Sequence, residues 1–149
     1  MEQIRKKEMR YMTKEELYTM MNQNPAFHLA TVEGNQPHVR GMLLFRADEN
    51  GIIFHTASSK DLYQQIQDNP KAELCFQANG TQIRVMGQLE EIKDEALKEE
   101  IMNHPTREFL RAWKEMGVEH LLSVFCLKNG KATTWTMDTN FDKKTWIEL

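Results

Sequence analysis

The sequence predicts a mainly-β domain: an antiparallel, Greek-key-like barrel of about seven strands with short flanking helices. Three observations point there. Short runs of alternating apolar residues recur along most of the chain. Tight-turn signals join most of these runs, which makes neighbouring strands antiparallel. Helical patterns are few and lie between or beside the strands rather than alternating with them. A length of 149 residues suits one domain over residues 1–149, with enough chain for a normal core.

The elements follow in order. Thr13-Lys14-Glu15-Glu16 reads as a capping box, and Leu17, Met20 and Met21 form one apolar stripe of a helix that Asn24-Pro25 stops. Ala26 to Val32 alternates, Glu33-Gly34-Asn35 turns, and Pro37 to Phe45 is extended. Asp48-Glu49-Asn50-Gly51 turns again into a strand over Ile52 to Ala57. Ser58 is placed to cap a second helix carrying Leu62, Tyr63 and Ile66, which ends near Asn69-Pro70. Lys71 to Gln77 alternates, with Ala72, Leu74 and Phe76 on one face, and Asn79-Gly80 is a type I′ hairpin signal. Gln82 to Ile92 pairs back, with Ile83, Val85, Gly87 and Leu89 on one side. A helical stretch from Asp94 is broken at Asn103-His104-Pro105. It resumes through Phe109, Leu110, Trp113 and Met116, read as core positions, and Gly117 closes it. A last hairpin is expected from Leu121 to Met137 around Asn129-Gly130.

Composition narrows the function classes. The chain is 40% apolar and 28% charged with a formal charge of −3, which is globular and gives no reason to expect nucleic acid. The basic cluster Arg5-Lys6-Lys7 reads as a solvated tail. Cys75 and Cys126 lie in strand-like runs without a CxxC pair, so buried free thiols are expected and no metal site is. No signal-peptide pattern precedes the first helix and no apolar run reaches membrane-spanning length, so a cytoplasmic protein without membrane contact is expected.

Two segments could carry chemistry. His55-Thr56-Ala57-Ser58-Ser59-Lys60 joins a strand end to a helix start. Its hydroxyls and its ammonium gather where helix amides are unpaired and the dipole favours an anion. That is what a phosphate monoester needs, and also what an ordinary serine cap with a surface lysine looks like. Arg40 lies inside an otherwise apolar strand, with Met42 and Leu44 on its own face. Either it makes a cross-strand ion pair, or it is held for bidentate contact with a phosphate. Elsewhere, His28, His104 and His120 have no catalytic or metal-ligand spacing. His38, two residues before Arg40, shares its face. Trp135, in Thr133-Thr134-Trp135-Thr136, is a candidate to close a pocket, and Trp146 is placed to anchor the tail. No Ser-His-Asp order, Walker loop or GxGxxG is present.

Taken together, Arg40-Gly41-Met42-Leu43-Leu44-Phe45, His55-Thr56, Ser59-Lys60 and Gln82-Ile83-Arg84-Val85-Met86-Gly87 resemble the successive flavin-binding segments of the pyridoxamine 5′-phosphate oxidase-like family, the FMN-binding split barrels. The resemblance runs from about Thr13 to Trp135 and is nearest to the small general-stress and nitroimidazole-resistance-like branch. It implies FMN as cofactor and a homodimer with two flavins at the subunit interface. By this likeness Arg40 meets the phosphate and ribityl end, and Gly41, Met42 and Leu43 run beside the isoalloxazine ring. His55 and Thr56 contact the flavin; Ser58, Ser59 and Lys60 lie at the phosphate, with a different spacing in this helix. Gln82 reaches the flavin, and Gln82 and Trp135 serve the partner's cofactor. Phe45 stands where the vitamin enzyme has a substrate-contacting lysine, and its substrate-phosphate cluster is unmatched, so pyridoxamine phosphate oxidation is not expected. A flavin-dependent oxidoreductase acting on a small molecule is the leading expectation. A non-enzymatic flavin carrier or sensor is the alternative, as is a split barrel holding haem or deazaflavin.

Overall fold

The computed structural model describes residues 12–149; the Arg5-Lys6-Lys7 cluster lies outside the described residues. The chain runs α1 (Lys14–Gln23), β1 (Ala26–Glu33), β2 (Gln36–Asp48), β3 (Gly51–Ala57), α2 (Asp61–Asp68), β4 (Lys71–Ala78) and β5 (Thr81–Ile92). Then come α3 (Glu95–Met102), a 3-10 segment (Pro105–Leu110), α4 (Arg111–Glu115), β6 (Leu122–Leu127), β7 (Lys131–Trp135) and the short β8 (Ile147–Glu148). The strands form one sheet in the order β4-β1-β2-β3-β6-β5-β7-β8, and an additional β4–β5 pairing closes the first six into an antiparallel barrel. Closure removes the exposed edges that an open sheet would carry.

The alternation in each strand decides what fills the barrel. Phe27 and Leu29 of β1, Phe54 of β3, Leu74 and Phe76 of β4, Ile83 and Val85 of β5 and Phe125 of β6 all point inward and are buried. Phe27 stacks on Phe76 at 4.9 Å and meets Phe54 edge-on at 5.6 Å. Helix α1 packs Leu17 and Met21 into the same core. Its cap is the expected one in part: the Thr13 hydroxyl accepts from the Glu16 amide, but it also donates to the Glu16 carboxylate at 3.2 Å, which does not reach back to the Thr13 amide. A second core lies outside the barrel, where Ile53, Val124 and Cys126 pack against Ile101 and Leu110 of the helical layer.

Three expectations are corrected. The Asn129-Gly130 signal does not make a hairpin. A type I′ turn needs positive φ at both central residues, and Asn79 (51°) and Gly80 (81°) satisfy this; at the later pair only Asn129 does (58°). The chain therefore keeps its direction: β6 pairs with Leu89–Ile92 of β5, and β7 continues along Gln82–Met86 of the same strand. The twelve residues of β5 are long enough to hold both in succession. Secondly, of the positions read as core, Leu110 is buried and Trp113 partly so, but Phe109 and Met116 are exposed; the helix resumes as a 3-10 segment, which changes the spacing of the inward positions around Phe109. Thirdly, Ser58 does not cap α2; Lys60 occupies the cap position and makes no side-chain cap hydrogen bond. Of the two thiols, Cys126 is buried and Cys75 only partly so.

Candidate functional site

The geometry of Arg40 is the most informative feature. On β2, His38, Arg40, Met42 and Leu44 lean inward while Val39, Gly41 and Leu43 face out. Arg40 lies opposite Leu29 of β1, at the barrel mouth under α2. Its Nη1 donates to the Leu29 carbonyl at 3.2 Å and to the Thr31 hydroxyl at 2.8 Å, and its Nη2 donates to Gln65 Oε1 at 2.7 Å. The Thr31 hydroxyl also donates to Gln65 Oε1, so both partners are fixed. All three partners are neutral, and among the described residues no carboxylate pairs with this guanidinium, so the cross-strand ion pair, one of the two readings of this residue, is not formed. Burial makes the charged form harder to hold, pushing its pKa below the usual arginine value. The three bonds leave Nε–H and one Nη2–H, groups on the side-on edge that grips carboxylates and phosphates in bidentate fashion.

Helix α2 brings the second part of the site. Gln65, bonded to Arg40, lies four residues into the helix from Asp61, about 6 Å along its axis at 1.5 Å per residue. Ser58, Ser59 and Lys60 are exposed just before it, and its first amides have no side-chain cap. Thr56 is buried at the end of β3. The arginine and the Ser58–Lys60 segment thus belong to one corner of the barrel. Thr31 and Gln65, which aim Arg40, were not singled out from sequence. The signal was there: each is a polar residue on an apolar face, Thr31 after Phe27 and Leu29, Gln65 between Leu62 and Ile66.

Beside this corner the outer face of β2 is open and apolar. Val39 is 69% exposed and Leu43 37%, and a Cβ placed on Gly41 would meet nothing within 4 Å. This is a backbone surface that a planar ring can approach. Gln82 and Trp135 pair directly across β5 and β7. They lie on the outward face of the barrel wall opposite β2, whereas Arg40 leans inward. One chain therefore does not bring them to Arg40. The Trp135 indole N–H donates to Asn140, and Trp146 lies over Arg84, anchoring the tail.

His55 is placed differently. It faces the helical layer, where its Nε2 accepts from Arg107 Nε at 2.9 Å and its ring lies 6.1 Å from that of Phe109. Arg107, only 2% exposed, also donates to the Leu44 carbonyl at 2.8 Å, beside the bulge between Leu44 and Arg46, and to Thr106. Phe45 lies against this guanidinium, 5.4 Å from its ring centroid, and edge-on to His104. Burial above all, then the charges of Arg107 and Lys60, lower the His55 pKa to about 4. Nothing in the local sequence marked Arg107, which stands two residues after Pro105 where the helical pattern is broken.

The comparisons with known proteins agree with this architecture. The family model described as pyridoxamine 5′-phosphate oxidase matches residues 13–136. The pyridoxine/pyridoxamine 5′-phosphate oxidase of Agrobacterium fabrum is 30% identical over 115 residues, covering 75% of this chain and 56% of that protein. The chain thus spans little more than half the length of the curated relatives it matches. A NimC/NimA family protein from Clostridium acetobutylicum superposes with a TM-score of 0.72 at 21% identity, covering 93% of this chain and 95% of the other. General Stress Protein 26 from Bacillus anthracis gives 0.68 at 18%, covering 91% and 98%. A pyridoxamine 5′-phosphate oxidase-related FMN-binding protein from Nostoc punctiforme gives 0.58 at 19%, covering 89% and 93%. At these identities the three structures share the fold.

Proposed function

The chain belongs to the pyridoxamine 5′-phosphate oxidase family, and from that premise we propose that it binds FMN and serves as a flavin-dependent oxidoreductase for a small molecule. The observation that carries the reading is Arg40, a half-buried guanidinium held by three neutral acceptors, with its side-on edge unused among the described residues. A phosphate dianion satisfies both the geometry and the charge. Ser58, Ser59 and Lys60 would surround the phosphate from the start of α2, and the open strand Gly41–Leu43 would lie beside the isoalloxazine ring. Thr56 is buried near the end of β3, just before this segment. The bound flavin supplies the electron chemistry; the protein binds, orients and shields it.

A homodimer completes the proposal. The exposed apolar strip of β2 favours a covered surface, and Gln82 and Trp135, on the opposite wall from Arg40 in one chain, would reach the partner's flavin. A two-fold arrangement does this with one interface. His55 enters as the support behind the site rather than as a flavin ligand, because its Nε2 is engaged by Arg107. The same engagement occupies the Nε2 that would otherwise be offered to a haem iron.

Light scattering of the FMN-loaded protein should give twice the chain mass with one flavin per chain. A monomer that binds FMN just as tightly would overturn the shared site. The FMN-loaded protein, given a reduced nicotinamide, should lose its flavin absorbance faster than free FMN and regain it with an electron acceptor. Reduction no faster than that of free FMN would remove the oxidoreductase reading and leave a flavin carrier or sensor. Phe45, an apolar residue under two guanidinium groups, offers no ammonium to a substrate phosphate, so pyridoxamine phosphate is not the proposed substrate.

A further inference from the structure

We propose that His38 is a direct ligand of the cofactor's phosphate, donating from Nε2 beside Arg40; this rests on the FMN reading above. His38 and Arg40 are two apart on β2 and lean to the same face. Arg40 lies opposite Leu29, yet its Nη1 reaches Thr31, which is the residue opposite His38. Directly opposed side chains in an antiparallel pair have Cβ atoms about 4.5–5.5 Å apart. The guanidinium is therefore drawn along the strand toward the threonine that faces His38.

The imidazole has a donor to give. His38 Nε2 is itself shielded from solvent, and among the described residues it has no hydrogen-bond partner. A shielded polar nitrogen without a partner is costly, and one that stays unpaired in the folded chain marks a position for a ligand atom. The nearest protein acceptor is Glu33 Oε1 at 3.7 Å, too long for a hydrogen bond. Glu33 is exposed and sits at the end of the hairpin, free to turn away. A phosphate oxygen between His38 and the unused edge of Arg40 would pair the nitrogen and supply the counter-charge Arg40 lacks.

The test is titration of the full chain with FMN and with riboflavin, in wild type, His38→Ala, His38→Gln, Glu33→Gln and Arg40→Ala. His38→Ala should reduce the FMN-to-riboflavin affinity ratio by about tenfold, the size of one charge-assisted hydrogen bond, with riboflavin binding unchanged. His38→Gln, whose amide nitrogen reaches the Nε2 position, should restore part of the ratio, and Glu33→Gln should leave it at the wild-type value or above. If wild type and Arg40→Ala differ in ratio but His38→Ala matches wild type, the His38 assignment fails while the FMN reading stands. If wild type does not discriminate the two flavins, the FMN reading itself fails. Imidazole ¹⁵N spectra of wild type guard against misfolded variants: the His38 Nε2 signal should move with FMN and not with riboflavin, and a signal that moves with neither overturns the proposal.

Discussion

Arg40→Ala is expected to weaken FMN binding by at least tenfold and to leave riboflavin binding almost unchanged. Two charge-assisted hydrogen bonds to the phosphate are lost, each worth roughly 1.5–3 kcal/mol, and about 1.4 kcal/mol is one decade in affinity. The variant also loses its bonds to Leu29, Thr31 and Gln65. Any loosening of the barrel mouth that follows weakens both flavins alike and cancels in their ratio. Arg40→Lys should restore only part of the ratio, because an ammonium keeps the charge without the planar fork. Calorimetric titration with both flavins reads the effect, and a ratio unchanged in Arg40→Ala would take Arg40 out of the phosphate site.

The second large effect is expected at Arg107. Arg107→Ala leaves a cavity and strips the Leu44 carbonyl and His55 Nε2 of their donors in a buried place. A loss of about 3 kcal/mol is expected for such a change, or roughly 6–12 °C in melting temperature for a chain of this size. The burial of His55, with the charge of Arg107 beside it, makes stability fall in acid. His55 has a folded pKa of about 4, below its ordinary 6.5. The unfolded chain therefore takes up its proton first, and the stability this group contributes is whole above pH 6.5 and falls away as the pH drops toward 4. The total is on the order of 3 kcal/mol, since one unit is 1.36 kcal/mol. In Arg107→Ala the His55 titration, followed by NMR, should move up toward 6.5, since one of the charges holding it down is gone. A midpoint still near 4 in that variant would mean that the guanidinium is not among the causes.

Much of the barrel was legible because its strands obey period two and most of its turns carry their own chemistry. The Asn79-Gly80 hairpin and the Thr13 cap are local, and local rules placed them. Asn129-Gly130 carries the same dipeptide but not the same outcome. There the free length of β5, a distant part of the chain, kept β7 running in the direction of β6. Arg40 stood out as a charge on an apolar face, and the face was read correctly. Its partners were not, because a sequence shows that an arginine needs acceptors without showing that a threonine and a glutamine from two other elements supply them. His55 was read as a flavin contact from the segment it shares with Ser59 and Lys60. The structure sets its ring against an arginine 52 residues on that no local pattern marked.

The central claim is that this corner of the barrel is built for the phosphate of a flavin nucleotide. The most direct measurement is the affinity of the wild-type chain for FMN and for riboflavin, by calorimetry at one ionic strength. The two ligands share the ring and the ribityl chain and differ only in the phosphate. The account predicts that FMN binds at least about tenfold more tightly, the least that one phosphate-to-arginine hydrogen bond contributes. Equal affinities would contradict it, because the guanidinium of Arg40 and the start of α2 would then have no phosphate to hold.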